Sequence, residues 1–149
     1  MAQADVLSAR SEADAARGAP RISVVVTVFN EAATIEELYR RTAAALAGED
    51  YELIFVDDGS TDGGFAVLER LHDADPRVRA VRFKRNAGQH PAMHAGLARA
   101  RGEIVVTMDG DLQNAPEDIP RLVAAVEAGS DVASGRRAAR HDSWARTLP

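Results

Sequence analysis

The sequence predicts an α/β fold, a mainly parallel sheet with helices on both faces. Three observations predict it. Short apolar, β-branched runs alternate with longer segments of helical periodicity along the chain. The first run, ISVVVTVF (residues 22–29), is continuous rather than alternating, as in a strand buried on both faces. Polar, small and acidic residues gather where the apolar runs stop, and in parallel sheets that is the ligand-binding edge.

Residues 1–20 are rich in Ala, Ser and charge and end in RGAP, which reads as a flexible tail outside the fold. After the first strand, residues 34–47 place Ile35, Leu38, Thr42 and Leu46 at helical spacing, with acids early and arginines later as the helix dipole favours. YELIFVDD (residues 51–58) is the second strand, and GSTDGG is a turn with helix-start chemistry. FAVLERLHDAD is the second helix, and VRAVRFK (residues 78–84) alternates like a more exposed strand. GQHPAMHAGLARARG reads as a short helix ended by Gly102. EIVVTMD (residues 103–109) is a fourth strand, and PEDIPRLVAAVEAG a fourth helix with proline near its start. DVASG (residues 131–135) reads as a fifth strand.

A chain of 149 residues suits one domain, and 46% hydrophobic with 28% charged residues is ordinary for a soluble one. A net charge of −5 argues against bulk nucleic-acid binding, which needs a basic surface. The absence of cysteine excludes disulfides and thiolate metal sites and fits a cytoplasmic setting. No apolar run approaches the roughly 20 residues of a membrane span, and the start lacks signal-peptide regions. The tail from Ser134 carries Arg136, Arg137, Arg140 and Arg146 against Asp142, either a solvated basic face or a phosphate contact.

Four loops carry the chemistry: FNE, DDGSTD, RNAGQ and DGDLQ, one after each of the first four strands. Asp109 and Asp111 stand at i and i+2, so an extended segment projects both from one face, and Gly110 between them leaves the backbone open to a ligand. Two such acids repel unless a cation joins them, and Mg²⁺ or Mn²⁺ takes carboxylates together with substrate phosphates. Gln113 can add a neutral oxygen. In VDDGSTD a helix cap explains part of the motif, but a cap needs one side-chain oxygen, not two adjacent acids. Asp57 and Asp58 face opposite sides of a pleated strand, so at most one points at a given ligand. Asn30 and Glu31 are either helix-cap residues or a second wall of the same site. His90 and His94 stand at i and i+4 but lack an acidic third ligand, and Pro91 marks them as polar residues of a first helical turn.

The ordered motifs VVVTVFNE, VDDGSTD, RNAGQ, MDGDLQNAPEDIPRL and SGRR resemble the family 2 glycosyltransferases of GT-A fold. Within them the chain is similar to the synthases that attach sugars to polyprenyl and dolichyl phosphates. The resemblance runs from Ile22 to the C-terminus and makes residues 21–149 the nucleotide-sugar-binding part of such a domain. It implies inverting transfer of a hexose from a UDP- or GDP-sugar to a lipid phosphate at the inner face of the membrane. It also implies roles for residues. Glu31 and one of Asp57 and Asp58 hold base and ribose, with Thr27, Phe29 and Asn30 beside them. Asp109, Asp111 and Gln113 hold Mg²⁺ or Mn²⁺ on the diphosphate, with Gly110 in the donor-binding set, and Arg137 meets donor or acceptor phosphate. Asp109, Asp111 and Arg137 are thus the residues expected to carry catalysis.

Thr27 departs from a usual proline and Phe29 from a frequent tyrosine, which alters nucleotide packing slightly. The chain stops at Pro149 inside a familiar R-x-D-S-x-x-R-x-L stretch, so the resemblance implies an incomplete C-terminal side. A general base would lie beyond it. A lipid monophosphate, with a second pKa near about 6, needs little deprotonation. Positioning is the larger loss, since orientation is worth on the order of 7–11 kcal/mol. Donor binding with weak or absent transfer is therefore expected, and a truncated, non-catalytic nucleotide-sugar binder is the alternative. Trp144, among the arginines, reads as a packing residue or a peripheral membrane contact. A phosphotransfer receiver would need a lysine near its last strand, whereas the sole lysine, Lys84, precedes Asp109. A dinucleotide oxidoreductase would carry G-x-G-x-x-G where this chain has VFNE.

Overall fold

A computed structural model of the chain describes residues 4–7 and 18–135. The elements run β1 (Ala4–Leu7), β2 (Ile22–Val28), α1 (Ala32–Ala45), β3 (Tyr51–Asp57), α2 (Gly64–Ala74), β4 (Val78–Phe83), α3 (Gln89–Leu97), β5 (Ile104–Asp109) and α4 (Ile119–Glu127). One five-stranded sheet has the order β1-β4-β3-β2-β5. Strands β2 to β5 are mutually parallel, while β1 lies antiparallel to β4.

β2 and β3 are buried at all seven positions, as their continuous apolar runs require. Alternate residues serve two layers. Val24, Val26 and Val28 of β2 with Leu53 and Phe55 of β3 pack against Ile35, Leu38, Phe65 and Leu68, the inner faces of α1 and α2. On the other side Val25, Ile54 and Val56 meet Ala92 of α3. Gly96 brings α3 close to the sheet: a β-carbon there would run into Val25 and stand 3.0 Å from Val56 Cγ2.

At the amino-terminal ends of the strands, Glu52 is buried at 2% exposure. Its carboxylate accepts from Ser23 Oγ at 2.6 Å and from the Arg101 backbone N–H at 2.8 Å. Arg79 and Arg101 donate to its other oxygen at 2.9–3.1 Å. This network ties the loop entering β5 to three strands.

Three expectations are corrected. Residues 1–20 do not lie wholly outside the fold, because Ala4–Leu7 pair with β4 in the register Ala4↔Phe83 to Leu7↔Ala80. β4 otherwise offers a row of unpaired backbone groups on that side, which a strand satisfies. Residues 131–135 form no strand; no ladder among the described residues reaches them, and Val132 is 84% exposed. The fourth helix begins as a 3₁₀ turn, Pro116–Asp118, because Pro120 has no N–H to donate to an α-helical ladder from residue 116.

Candidate functional site

The chain steps outward from β2 to β3 and β4, then crosses back to place β5 on the other flank of β2. Strand order therefore reverses at the β2–β5 boundary, and the crevice beyond the carboxyl ends there is the expected ligand position. Thr27 lies opposite Asp109 in register, and the two strand ends are joined by a bond from Gly110 N–H to the Thr27 carbonyl at 2.9 Å. Thr34 of α1 closes the turn by donating its hydroxyl to the Gly110 carbonyl at 2.7 Å. No side chain fits at Gly110, where a β-carbon would stand 2.5 Å from Val28 Cγ1 and 3.0 Å from the Thr27 oxygen.

The strand ends at Asp109, and residues 110–112 turn, with Leu112 left-handed at φ 60°. The same-face argument for Asp109 and Asp111 assumed an extended segment and does not hold across this turn. Asp109, half-buried, accepts a hydrogen bond from Gln89 Nε2 at the start of α3. Asp111, exposed, accepts from the Gln113 backbone N–H at 3.0 Å. Asp111 also bears on Glu31: burial first, then the Asp111 charge and more weakly that of Asp62, push the Glu31 carboxyl above its ordinary range.

Asn30 sits at the end of β2 with φ 52°, a conformation Asn tolerates better than most residues. Its N–H donates to Ser60 Oγ and its Oδ1 accepts from Thr61 N–H, both at 2.9 Å. Glu31 occupies the N-cap position of α1 without making a side-chain cap. Asp62 does the capping instead. It accepts from Ala32 N–H at 3.0 Å and Gly64 N–H at 2.9 Å, and these bonds, led by Ala32, hold its carboxyl below the usual range. Phe29 stands 44% exposed at the rim.

Asp57 and Asp58 diverge as alternation requires. Asp57, fully buried, accepts from Ser60 N–H at 2.8 Å through Oδ1, while its Oδ2 has no partner. Asp58 spends both oxygens on the loop after β4: Asn86 Nδ2 at 3.1 Å, Ala87 N–H at 2.7 Å and Gly88 N–H at 3.0 Å. Arg137 and Trp144 lie outside the described residues. His90 and His94 are exposed on α3. Sequence reasoning assigned no role to Gln89 or Thr34, and it read Ser60 and Asp62 only as part of a helix-start turn, without their links to Asn30 and Ala32.

Among the described residues no group of three or more His, Cys, Asp or Glu is arranged to hold a metal ion by itself. Mg²⁺ commonly takes one or two carboxylates and completes its shell with water and substrate phosphate. Asp109 and Asp111, with Glu31 near Asp111, supply the one or two carboxylates that a cation arriving with a diphosphate takes from protein. They do not fit a cation held by protein alone.

A groove of about 830 Å³ runs between β5 and α4, lined by Val105, Leu122, Val126 and Val132 and reaching Gln113. No helix among the described residues is long and apolar enough to cross a membrane.

Comparison with known proteins bears on the fold and the family. The chain is 46% identical over 129 residues to an undecaprenyl-phosphate 4-deoxy-4-formamido-L-arabinose transferase of Enterobacter sp. (strain 638), covering 85% of this chain and 39% of that protein. The same enzyme of Proteus mirabilis (strain HI4320) is also 46% identical, with 85% and 40% covered. The chain thus spans about two fifths of the length of these curated relatives. Among solved structures, a mannosyltransferase from Pyrobaculum calidifontis in complex with GDP-Man and Mn²⁺ superposes with a TM-score of 0.61 at 31% identity, over 70% of this chain and 32% of that one. Glucosyl-3-phosphoglycerate synthase from Mycobacterium tuberculosis, with Mn²⁺, UDP and glucosyl-3-phosphoglycerate, gives 0.57 at 30% identity, over 75% and 41%. The fold is accordingly the GT-A type of α/β sheet. The family model for glycosyl transferase family 2 matches residues 23–148, from the second residue of β2 past every loop of the crevice, and the chain belongs to that family.

Proposed function

We propose that this chain is the donor-binding part of a metal-dependent, inverting glycosyltransferase that moves a sugar from a nucleoside-diphosphate donor to a polyprenyl phosphate. The observation that carries the reading is the Asp109–Gly110–Asp111 turn at the β2–β5 switch point, with Glu31 and Gln89 beside it. Relatives named for transfer to undecaprenyl phosphate, and fold neighbours solved with GDP-Man, UDP and Mn²⁺, support it.

In this reading Asp109 and Asp111, with Gln113 as a neutral donor, hold Mg²⁺ or Mn²⁺ against the diphosphate. The cation supplies charge neutralisation for the departing nucleoside diphosphate. Gly110 lets the turn pack against Val28 and the Thr27 carbonyl, which holds the two acids at the strand end. Thr27, Phe29, Asn30 and Glu31 line the nucleoside end. Of the two adjacent acids, Asp57 retains an unpartnered oxygen, whereas Asp58 is committed to its loop. Arg137 is assigned to a donor or acceptor phosphate, and Asp109, Asp111 and Arg137 together to the chemistry. The donor is a UDP- or GDP-sugar, its sugar a hexose or, as in the relatives' names, a modified arabinose. The site of action is the cytoplasmic face of the membrane, with Trp144 as a peripheral contact.

A second reading is nucleotide-sugar binding without turnover. Release of nucleoside diphosphate by the purified chain with Mn²⁺ and polyprenyl phosphate separates the two: turnover at the rate of a complete enzyme removes the second reading. The donor site itself is tested by thermal-shift titration with UDP- and GDP-sugars, with and without Mn²⁺, on the chain and on an Asp109→Ala/Asp111→Ala variant. Ligand at about 100 times its Kd stabilises by about 2.7 kcal/mol, several degrees in Tm. A Mn²⁺-dependent rise confined to the unsubstituted chain is expected, and equal shifts in both proteins overturn the metal assignment.

A further inference from the structure

We infer that Gln89 is a positioning residue for the metal-binding carboxylate of Asp109, held in place by Asp58; this rests on the donor–metal reading above. Gln89 is the first residue of α3, and its Nε2 donates to Asp109 Oδ1 across the crevice. Nothing local to α3 aims it there. The loop before it is fixed from β3: Asp58 binds the N–H groups of Ala87 and Gly88 and the amide of Asn86. Gly59, at φ 81°, lets the Arg85–Asn86 backbone pass so close that a β-carbon would stand 2.6 Å from Arg85 C and Asn86 N. Gly88, at φ 103°, makes the last bend into the helix. The second acidic motif and the Asp-Gly-Asp motif are therefore mechanically joined: Asp58 sets the loop, the loop sets Gln89, and Gln89 sets the rotation of the Asp109 carboxylate.

A carboxylate with one oxygen fixed by an amide N–H presents its other oxygen in a defined direction. A cation sharing its shell with a diphosphate needs that definition, because two protein carboxylates alone bind it weakly. Hydrogen-bond partners of metal ligands typically account for 10–100-fold in affinity. The amide could instead compete with the cation for Asp109, and that role has the opposite sign. The loop favours positioning, since Gln89 is presented to Asp109 by backbone that Asp58 anchors.

The test measures Mn²⁺ affinity by the loss of the free-ion EPR signal, with UDP and separately with GDP present, for the full 149-residue chain. Gln89→Leu removes the donor at similar length, and Gln89→Asn shortens its reach by one methylene. Both should weaken Mn²⁺ binding about tenfold while leaving Tm and metal-free nucleotide binding unchanged, as a mere packing role would not. In an Asp109→Asn background Gln89→Leu should cost nothing further, because Gln89 acts through Asp109. Unchanged or tighter Mn²⁺ binding in Gln89→Leu overturns this inference alone. No Mn²⁺ binding by the unsubstituted chain with either nucleotide overturns the donor–metal reading and the inference with it.

Discussion

Glu52→Gln offers a quantitative test of what holds the sheet in register. The carboxylate receives five hydrogen bonds, from Ser23 Oγ, the Arg101 N–H, and three guanidinium N–H groups of Arg79 and Arg101. Glutamine keeps the shape but replaces one accepting oxygen with an NH₂ that faces donors, and it removes the charge opposing two arginines. Breaking a buried pair costs about 3–5 kcal/mol. Because the Arg79 and Arg101 side chains retain 17% and 28% exposure, water relieves part of the loss, and the lower end applies. A loss of about 3 kcal/mol corresponds to a fall of about 10 °C in Tm for a domain of this size. The assay is paired urea and thermal unfolding of the two proteins. Acid supplies an internal control. Burial raises the Glu52 carboxyl, but the bonds from Ser23 and Arg101 and the charge of Arg79 outweigh it, leaving the group below its ordinary value. A depressed folded-state value means the stabilisation is present above the unfolded carboxylate range and disappears as pH falls through the folded value. The difference between the proteins should be constant from pH 6 to 8, about two units above the range of a free glutamate, and shrink on acidification below it. A difference under about 1 kcal/mol at neutral pH, or one that persists unchanged in acid, refutes the charge argument.

Three further outcomes are expected. Gly110→Ala forces a methyl group onto Val28 and should cost about 1–3 kcal/mol, measured by urea unfolding, while also weakening Mn²⁺-dependent nucleotide binding; an unchanged midpoint contradicts the close packing. Asp58→Asn removes the charge that three donors share and should cost about 2–3 kcal/mol, with faster hydrogen exchange at the amides of Ala87 and Gly88 as its local signature. Glu117 receives two bonds from Arg41, at 2.7 and 2.6 Å, and its carboxyl is pushed down to about 2, so it should stay ionised well below the ordinary glutamate range. An NMR titration midpoint in the ordinary glutamate range excludes that pairing in solution.

The parts of the fold legible in the sequence are those fixed by long local signals. β2 and β3 each supply seven consecutive residues that are buried whatever face they point to, so the pattern survives any tertiary detail. β1 could not be read, because ADVL has no periodicity of its own and is a strand only through its neighbour's free edge. Residues 131–135 show the converse: strand-like composition without a partner. The site divides the same way. Acids clustered after strand ends are visible because parallel topology puts all those ends together. Which of Asp57 and Asp58 is spent on structure depended on the loop after β4, twenty-eight or more residues away. A lone glutamine at the start of a helix carries no signal until the crossover places α3 beside the end of β5.

Gly96 turns from a packing detail into a lever arm. It lies seven residues, or about 10 Å of helix, from Gln89, and it is where α3 rests on the central strands. A side chain at 96 would prop the helix away from Val25 and Val56, and the far end would swing with it. A misplacement of about 1 Å at a reacting centre can cost on the order of a hundredfold in rate. The height of one backbone atom above the middle of the sheet is thereby coupled to the aim of a carboxylate at its edge, and the alignment of the site is set from within the core.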